Sequence, residues 1–581
     1  MVTKIPDEYN TADKIQAFLE PSFPNQIAFV TPVLDRKEMT LKVKELQKLS
    51  LAHLVAVHKA ETSPEPPTTK TGCCGCVGET VEAVPYYKGK ADELRGEIRE
   101  EYPDAEYKNA AFVSFKTVSS AVKASSIQFR DDQTWEITGA TQPSDVIWTA
   151  LTSVPDTATQ QGVRMGVSCA IVALNIIWAI PMAAGGALAN LEQLGDKYSW
   201  LSGVESLPPT LIAIIEGFGP TIWRIILMLL LKPILYALLG ITGILETSTL
   251  ESAFFNKYYM FLLVQIYFVT LVSSSLFAVI GDIIDDPISI FSLLGESVPA
   301  VAIEMIQYML LQGLGLGVGK IVRLVGLILT IFFSKMAVVE YQKEQAMKPP
   351  KYTYGSNLAT NMLMWTITLC YMSIAPLILP FGFIYFALEY VVQKYQLVYV
   401  HVPDFETYGL FWPDVASTAM WALFLSQLAT MAIVGLKFGA FQQIVLAPLP
   451  FITYFVITYI EETIGTQMRK SMLPLSNAAN IDQSRPAPQV ENFLASAQEL
   501  NMWTQPCVWV DLDDPLKPPP DFPEITESKE QKEDLSGESK DRLVRSKKRD
   551  DMDDMEMQEQ GDVQKGEKDV DVDVKDQNDD Q

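Results

Sequence analysis

The residues of this sequence best placed to do chemistry are polar side chains set inside long apolar stretches. Asn175, Lys232, Gln265, Ser273, Ser274, Glu304, Tyr308 and Gln312 all fall in segments otherwise built from aliphatic and aromatic residues. In hydrocarbon such a group costs of the order of a few kcal/mol unless it is paired or wetted. Each amide or serine therefore either hydrogen-bonds between packed helices or lines a wet path. Their clustering favours the path. Catalysis has little to work with. No nucleophile–base constellation is present, and the three histidines (His53, His58 and His401) show no ligand spacing. No catalytic residue, metal or cofactor is expected.

Positioning those groups requires helices that cross a bilayer. A hydrocarbon core about 30 Å thick needs roughly 20 apolar residues in a helix. About eight stretches qualify: 163–189, 217–243, 258–283, 298–334, 356–375, 377–397, 413–436 and 438–460. A soluble domain hides one such segment, not a series. The fold class expected is a polytopic α-helical membrane protein, with its transmembrane region at 163–461. The fourth stretch is too long for one straight crossing, since its 37 residues would extend roughly 55 Å. At its middle stand Gly313, Gly315, Gly317 and Gly319, each costing about 1 kcal/mol of helix stability relative to alanine. One hinged span is the preferred reading, with the glycines as a gating hinge and Lys320 and Arg323 at the membrane exit. The run lacks the spacing of a phosphate-binding loop.

Basic residues orient the spans. Lys335, Lys343, Lys348 and Lys351 follow the fourth stretch, and Arg469 and Lys470 follow the eighth. That side is read as cytosolic. Parity puts residues 1–162 and the C-terminal end there too, and Asp282, Asp285, Asp286 and Glu296 outside. Of the net charge of −25, residues 521–581 alone supply −11, with 22 Asp/Glu against 11 Lys/Arg. Residues 482–581 are expected to form a disordered acidic cytosolic tail. Such an acidic balance argues against nucleic acid as a partner, since phosphate neutralisation needs a basic surface.

Residues 1–150 read as a cytosolic α+β domain. Strands are expected at 2–5, 27–33 and 109–115, and helices at 11–18, 36–60 and 118–125. That order is ferredoxin-like, and RNA-recognition modules share it. Ala111–Phe115 faintly echoes the inner strand of such modules, but the full signature is absent. Cys73, Cys74 and Cys76 lack a fourth zinc ligand. They are candidates for S-acylation, with an unmodified flexible loop as the alternative.

The segment Tyr354-Gly355-Ser356-Asn357-Leu358, followed by SIAPLILPFGFIYFALEYVVQKYQLVYVHVPDFETYGLFWP from Ser373 to Pro413, resembles the signature of the OSCA family. The likeness continues through Ser426-Gln427, and backward through Asp286-Pro287, Leu294-Gly295 and Pro299 to Tyr308. Upstream it takes in Ala111–Phe115 and the Trp135, Ala140, Pro143, Asp145, Val146 and Trp148 pattern, so that it covers about residues 1–460.

The resemblance implies an osmosensing, mechanosensitive, calcium-permeable cation channel of the plasma membrane, related to the anoctamins. Membrane lipids and permeant cations would be its partners, and a homodimer its assembly. It also implies eleven spans, with the cytosolic domain between the third and fourth, so that three spans would precede residue 1. The pore would be lined by the first five spans seen here. Four positions depart from the family pattern: Gln265 for asparagine, Gln312 for aspartate, Glu304 for an aromatic, and Lys232 for leucine ahead of Pro233. Lys232 and Glu304 differ in depth by about 13 Å of helical rise, too far to pair. A lysine facing the pore would oppose cations and favour lipid headgroups, which makes phospholipid scrambling through the same groove the second reading. A secondary transporter would show paired internal repeats, and none is found.

Overall fold

A computed structural model describes residues 1–71, 79–101, 105–126, 135–152, 157–184, 208–269, 301–403, 405–407, 409–465, 475–484, 487–499 and 502–517. Cys73, Cys74, Cys76, Ser273, Ser274, Asp282, Asp285, Asp286, Glu296, Arg469, Lys470 and residues 521–581 lie outside them.

The N-terminal region runs β1 (Val2–Thr3), α1 (Ala12–Leu19), β2 (Ile27–Leu34), α2 (Lys37–Thr62), β3 (Thr68–Lys70), β4 (Thr80–Glu82) and α3 (Ala83–Glu101). It continues through β5 (Tyr107–Phe115), α4 (Val118–Ser126) and β6 (Glu136–Ile137). Four strands form an antiparallel sheet in the order β2-β5-β1-β6, with Val2 opposite Ala111 and Val30 opposite Val113. Successive side chains of a strand point to opposite faces. Ala111 accordingly joins Ile15, Leu19 and Phe23 on one face, while Ala110 and Phe112 join Val33, Val146 and Leu151 on the other. The β3–β4 hairpin and α3 were not anticipated from the sequence.

Residues 502–517 correct the expectation of disorder from 482 onward. Cys507 is buried with Met39, Val43 and Leu46 of α2 and Ala91 and Ile98 of α3. Arg99 pairs with Asp513 at 2.6 Å, and the Gln505 amide donates to the Leu34 carbonyl at 2.8 Å. The physical reason is local composition, because Val508, Val510 and Leu512 pack against this cluster and supply apolar surface that the acidic residues further on lack.

From α5 (Trp148–Leu151) the chain becomes helical: α6 (Thr157–Ala184), α7 (Pro209–Gly240), α8 (Thr247–Leu262), α9 (301–322), α10 (Leu324–Met336) and α11 (Glu340–Met347). There follow α12 (Tyr354–Tyr371), α13 (Ile378–Tyr395), α14 (Phe411–Phe438), α15 (Ala440–Leu446), α16 (Pro448–Ile460) and α17 (Leu475–Ser484). A further helix, α18 (Ala487–Glu499), belongs to a separate unit. Among the described residues, five helical segments are long and apolar enough to cross a membrane: Ala158–Met182, Ile222–Gly240, Val301–Met336, Phe411–Gly435 and Phe441–Thr463. Helices α12 and α13 stand where the sequence places two more spans, while α8 and the helical turns after it reach only residues 258–269 of the expected 258–283 span, the rest of which lies outside the described residues.

The cytosolic region meets the membrane helices at α8. Val146 bridges to Glu246, and Ile147 donates its N–H to the Leu245 carbonyl at 2.7 Å. A helix N-terminus leaves its first N–H groups without intrahelical partners. Asp145 supplies one from outside, accepting from the Ser248 N–H at 2.7 Å and from its hydroxyl at 2.6 Å. In the same way Asp482 of α17 accepts from the Val118 and Ser119 N–H groups of α4 at 2.7 and 2.9 Å.

Burial pushes the Asp145 carboxyl above its ordinary range, against hydrogen bonds from Ser248 and Thr247 that pull it down. A raised folded-state pKa means a contribution fully present below the unfolded value of about 4 and lost as pH rises through the folded one. Thermal melts of the detergent-solubilised chain should therefore gain a stabilising component as pH falls towards 4. Asp145→Asn should flatten it, and Asp145→Ala should cost about 1 kcal/mol as a lost cap.

Candidate functional site

Helices α6 to α9 and α12 share one apolar core that includes Leu231, Phe254, Phe255, Met305, Leu363 and Ile367. Helix α12 packs tightly on α8 at Gly355, the first-turn glycine of α12. A Cβ there would lie 2.5 Å from the Glu251 carbonyl oxygen, so no larger residue fits without movement. The Gly355 N–H donates to the Glu251 carboxylate at 2.8 Å, and the same carboxylate accepts from the Tyr236 hydroxyl at 2.5 Å. This ties α7, α8 and α12 at one end of the bundle.

The predicted polar residues are assembled mostly as pairs. Gln265 is fully buried, and its amide donates to the Asn175 carbonyl at 2.6 Å and to the Asn175 side-chain oxygen at 2.7 Å. Gln312 donates to the Tyr308 hydroxyl at 3.0 Å. Both glutamines sit in π-helical stretches, Leu263–Phe268 after α8 and Leu311–Gly317 within α9. Such widened turns are uncommon and recur at functional sites. Glu304 pairs with Arg224 of α7 at 2.5 Å. The Lys232 ammonium stands 5.7 Å from the centroid of the Tyr258 ring, within cation–π range.

The glycine run does not break the helix. Its π turn carries α9 on to residue 322, and the helix is interrupted at Arg323, which takes a left-handed φ of +49° before α10 begins at Leu324. A side chain in that region costs about 1–2 kcal/mol. The apolar stretch continues to Met336, beyond the exit expected at Lys320 and Arg323. The glycines also divide by duty. A Cβ on Gly313 would meet the Tyr385 ring at 3.0 Å, and one on Gly317 would meet the Gln312 carbonyl at 3.3 Å and Glu389 at 3.7 Å. Gly319 has open space, and Gly315 faces only Leu311 of its own helix. Gly313 and Gly317 are thus where α13 seats against α9.

Just past this contact Lys320 donates to Glu389 at 2.8 Å, with the carboxylate buried. Gln396 donates to the Lys320 carbonyl at 2.8 Å, and Gln393 to Glu389 at 2.5 Å. Arg224, Tyr385 and Glu389 were missed by the sequence reading. For Arg224 and Glu389 the signal was available, since an ionisable residue inside an apolar span marks a site by default. Nothing in the sequence distinguishes Tyr385 from an ordinary core aromatic.

Two family models match this chain. One, described as "Calcium-dependent channel, 7TM region, putative phosphate", matches residues 163–434. The other, "Cytosolic domain of 10TM putative phosphate transporter", matches residues 1–150. Similar proteins include CSC1-like protein ERD4 of Brassica juncea, 31% identical over 67% of this chain and 54% of its own length. Hyperosmolality-gated Ca2+ permeable channel 1.5 of Arabidopsis thaliana is 28% identical over 77% of this chain and 60% of its own length. Channel 3.1 of the same plant is 30% identical over 68% and 55%. The chain thus spans little more than half the length of these relatives.

The Arg224–Glu304 pair makes a direct test of the geometry. Glu304→Gln leaves the buried guanidinium without its carboxylate, and such losses run to about 3–5 kcal/mol for fully buried pairs. Glu304 is part-exposed, so the loss should fall at the lower end. Combining it with Arg224→Gln should restore much of the stability, read as a double-mutant cycle by thermal melting in detergent.

Proposed function

The chain belongs to the calcium-dependent channel family whose 7TM region and cytosolic domain it matches, and on that premise we propose that it forms a calcium-permeable cation channel opened by membrane tension. The observation that carries the reading is the π-wound segment of α9, flanked by polar residues and seated on α13 through Gly313 and Gly317. In this reading Asn175, Lys232, Gln265, Ser273, Ser274, Glu304, Tyr308 and Gln312 line or border the path, and residues 313–319 flex. Tension favours the wider state, and Lys320–Glu389 restrains it by holding α9 to α13. Conducting and closed states a few kcal/mol apart need such a soft element. A π turn is soft because relaxing it to α geometry rotates the helix beyond it by about 100°.

The proposal extends to the architecture. The antiparallel order β2-β5-β1-β6, with α1 and α4 as crossovers, supports a ferredoxin-like domain over 1–150 carrying α2, β3, β4 and α3 as an insertion. Eight spans within 163–461, an acidic cytosolic tail, a plasma-membrane location, a homodimer and S-acylation of Cys73, Cys74 and Cys76 complete it. Phospholipid scrambling is the second reading. It is favoured by Lys232, which stands against the Tyr258 ring and forms no ion pair with a carboxylate among the described residues, leaving it to a phosphate headgroup.

Patch recording of the reconstituted chain under graded suction separates the two. Stretch-evoked cation current supports the channel, whereas lipid transfer in liposomes without current would replace it with the scramblase. Gly315→Ala combined with Gly317→Ala should raise the opening threshold, and Glu389→Gln should lower it. Thresholds unchanged in both variants would remove the hinge and its latch together.

A further inference from the structure

Helix α10 ends at Met336 and the chain turns through Ala337 into α11. Between this turn and α2 of the cytosolic region lies a groove of about 500 Å³, lined by Leu51, Phe333, Met336, Ala337, Tyr341 and Ala346. Its apolar wall continues the outer surface of α10, where Phe332, Phe333 and Met336 are 55, 55 and 64% exposed. That surface belongs to a segment long and apolar enough to span a bilayer. The groove therefore opens where the hydrocarbon ends and the cytosolic region begins.

Charge supplies the second observation. Lys335 and Lys343 adjoin the lining residues Met336 and Gln342, and Lys348 follows the end of α11. On α2, Lys48 and Lys44 stand about one and two turns from Leu51 on the same helical face. Glu340 and Glu344 of α11 oppose them, leaving a positive balance. Lysines clustered at the cytosolic end of a span attract the anionic lipids of that leaflet.

We propose that this groove binds an anionic phospholipid of the cytosolic leaflet, with an acyl chain against Leu51, Phe333 and Met336 and the phosphate among the lysines. A neutral lipid would use the groove alone, and a free phosphate the charges alone; the two features side by side fit a molecule that has both. Bound there, the lipid touches α2 and α10 at once and couples the cytosolic region to the segment that follows the glycine run.

The test is native mass spectrometry of the purified full chain, titrated with phosphatidylserine, phosphatidylcholine or inorganic phosphate. Phosphatidylserine should give a saturable adduct at markedly lower concentration than phosphatidylcholine. Lys335→Gln combined with Lys343→Gln should weaken it roughly ten-fold. Leu51→Trp, which fills the groove and leaves every lysine in place, should weaken it as well. Equal binding of the two lipids, or phosphatidylserine binding indifferent to both variants, would overturn the proposal. Displacement of phosphatidylserine by equimolar phosphate would do the same, since it would reduce the site to its charges. No current is recorded, so a failure here is distinguishable from a failure of the channel reading.

Discussion

A charged or amide side chain inside a hydrocarbon slab has to find a partner or water, and that demand organises the centre of this molecule. Removing an ion pair from water is costly, and attraction offsets the cost only where geometry is good. Arg224 and Glu304 meet at 2.5 Å across α7 and α9, and Asn175 and Gln265 meet across α6 and the end of α8. Because each pair crosses between helices, it fixes register as well as charge. A helix sliding by one turn would strand the buried Arg224 or Gln265 without its partner.

The same helices approach one another where side chains are missing. Gly355 brings α12 onto α8, and Gly313 and Gly317 bring α13 onto α9. The second contact coincides with a π turn that widens the helix while keeping it continuous. Close packing and a widened turn thus lie side by side. The Lys320–Glu389 pair with its glutamine neighbours lies immediately beyond and links the two helices again. A movement of α9 would be felt by α13 first.

Two carboxylates far away in sequence cap helix N-termini: Asp145 on α8 and Asp482 on α4. Each converts an exposed helix end into a joint between regions, and a cap of this kind acts over hydrogen-bond distance only. The cytosolic region is thereby fastened to the membrane helices at α8 and to α17 at α4. The return of residues 502–517 onto α2 and α3 adds a further fastening, through apolar burial and the Arg99–Asp513 pair.

Much of this was legible before any coordinates. Long apolar runs, the amphipathic pattern of α2 and a glycine run inside a span are all properties of neighbours in the chain, and the periods of the helix translate them directly. The residues with chemistry were likewise recognisable one at a time, as polar groups in apolar company. Their partners were not. Arg224 with Glu304, Gln265 with Asn175 and Lys320 with Glu389 are distant in sequence, so no local period encodes them. Folding alone brought them within 3 Å of one another. It also placed a left-handed residue at Arg323 and wound the glycines into a π turn, where a local reading expected a hinge. Pairing in a low-dielectric interior is a property of packed helices, and packing is what a string of residues does not contain.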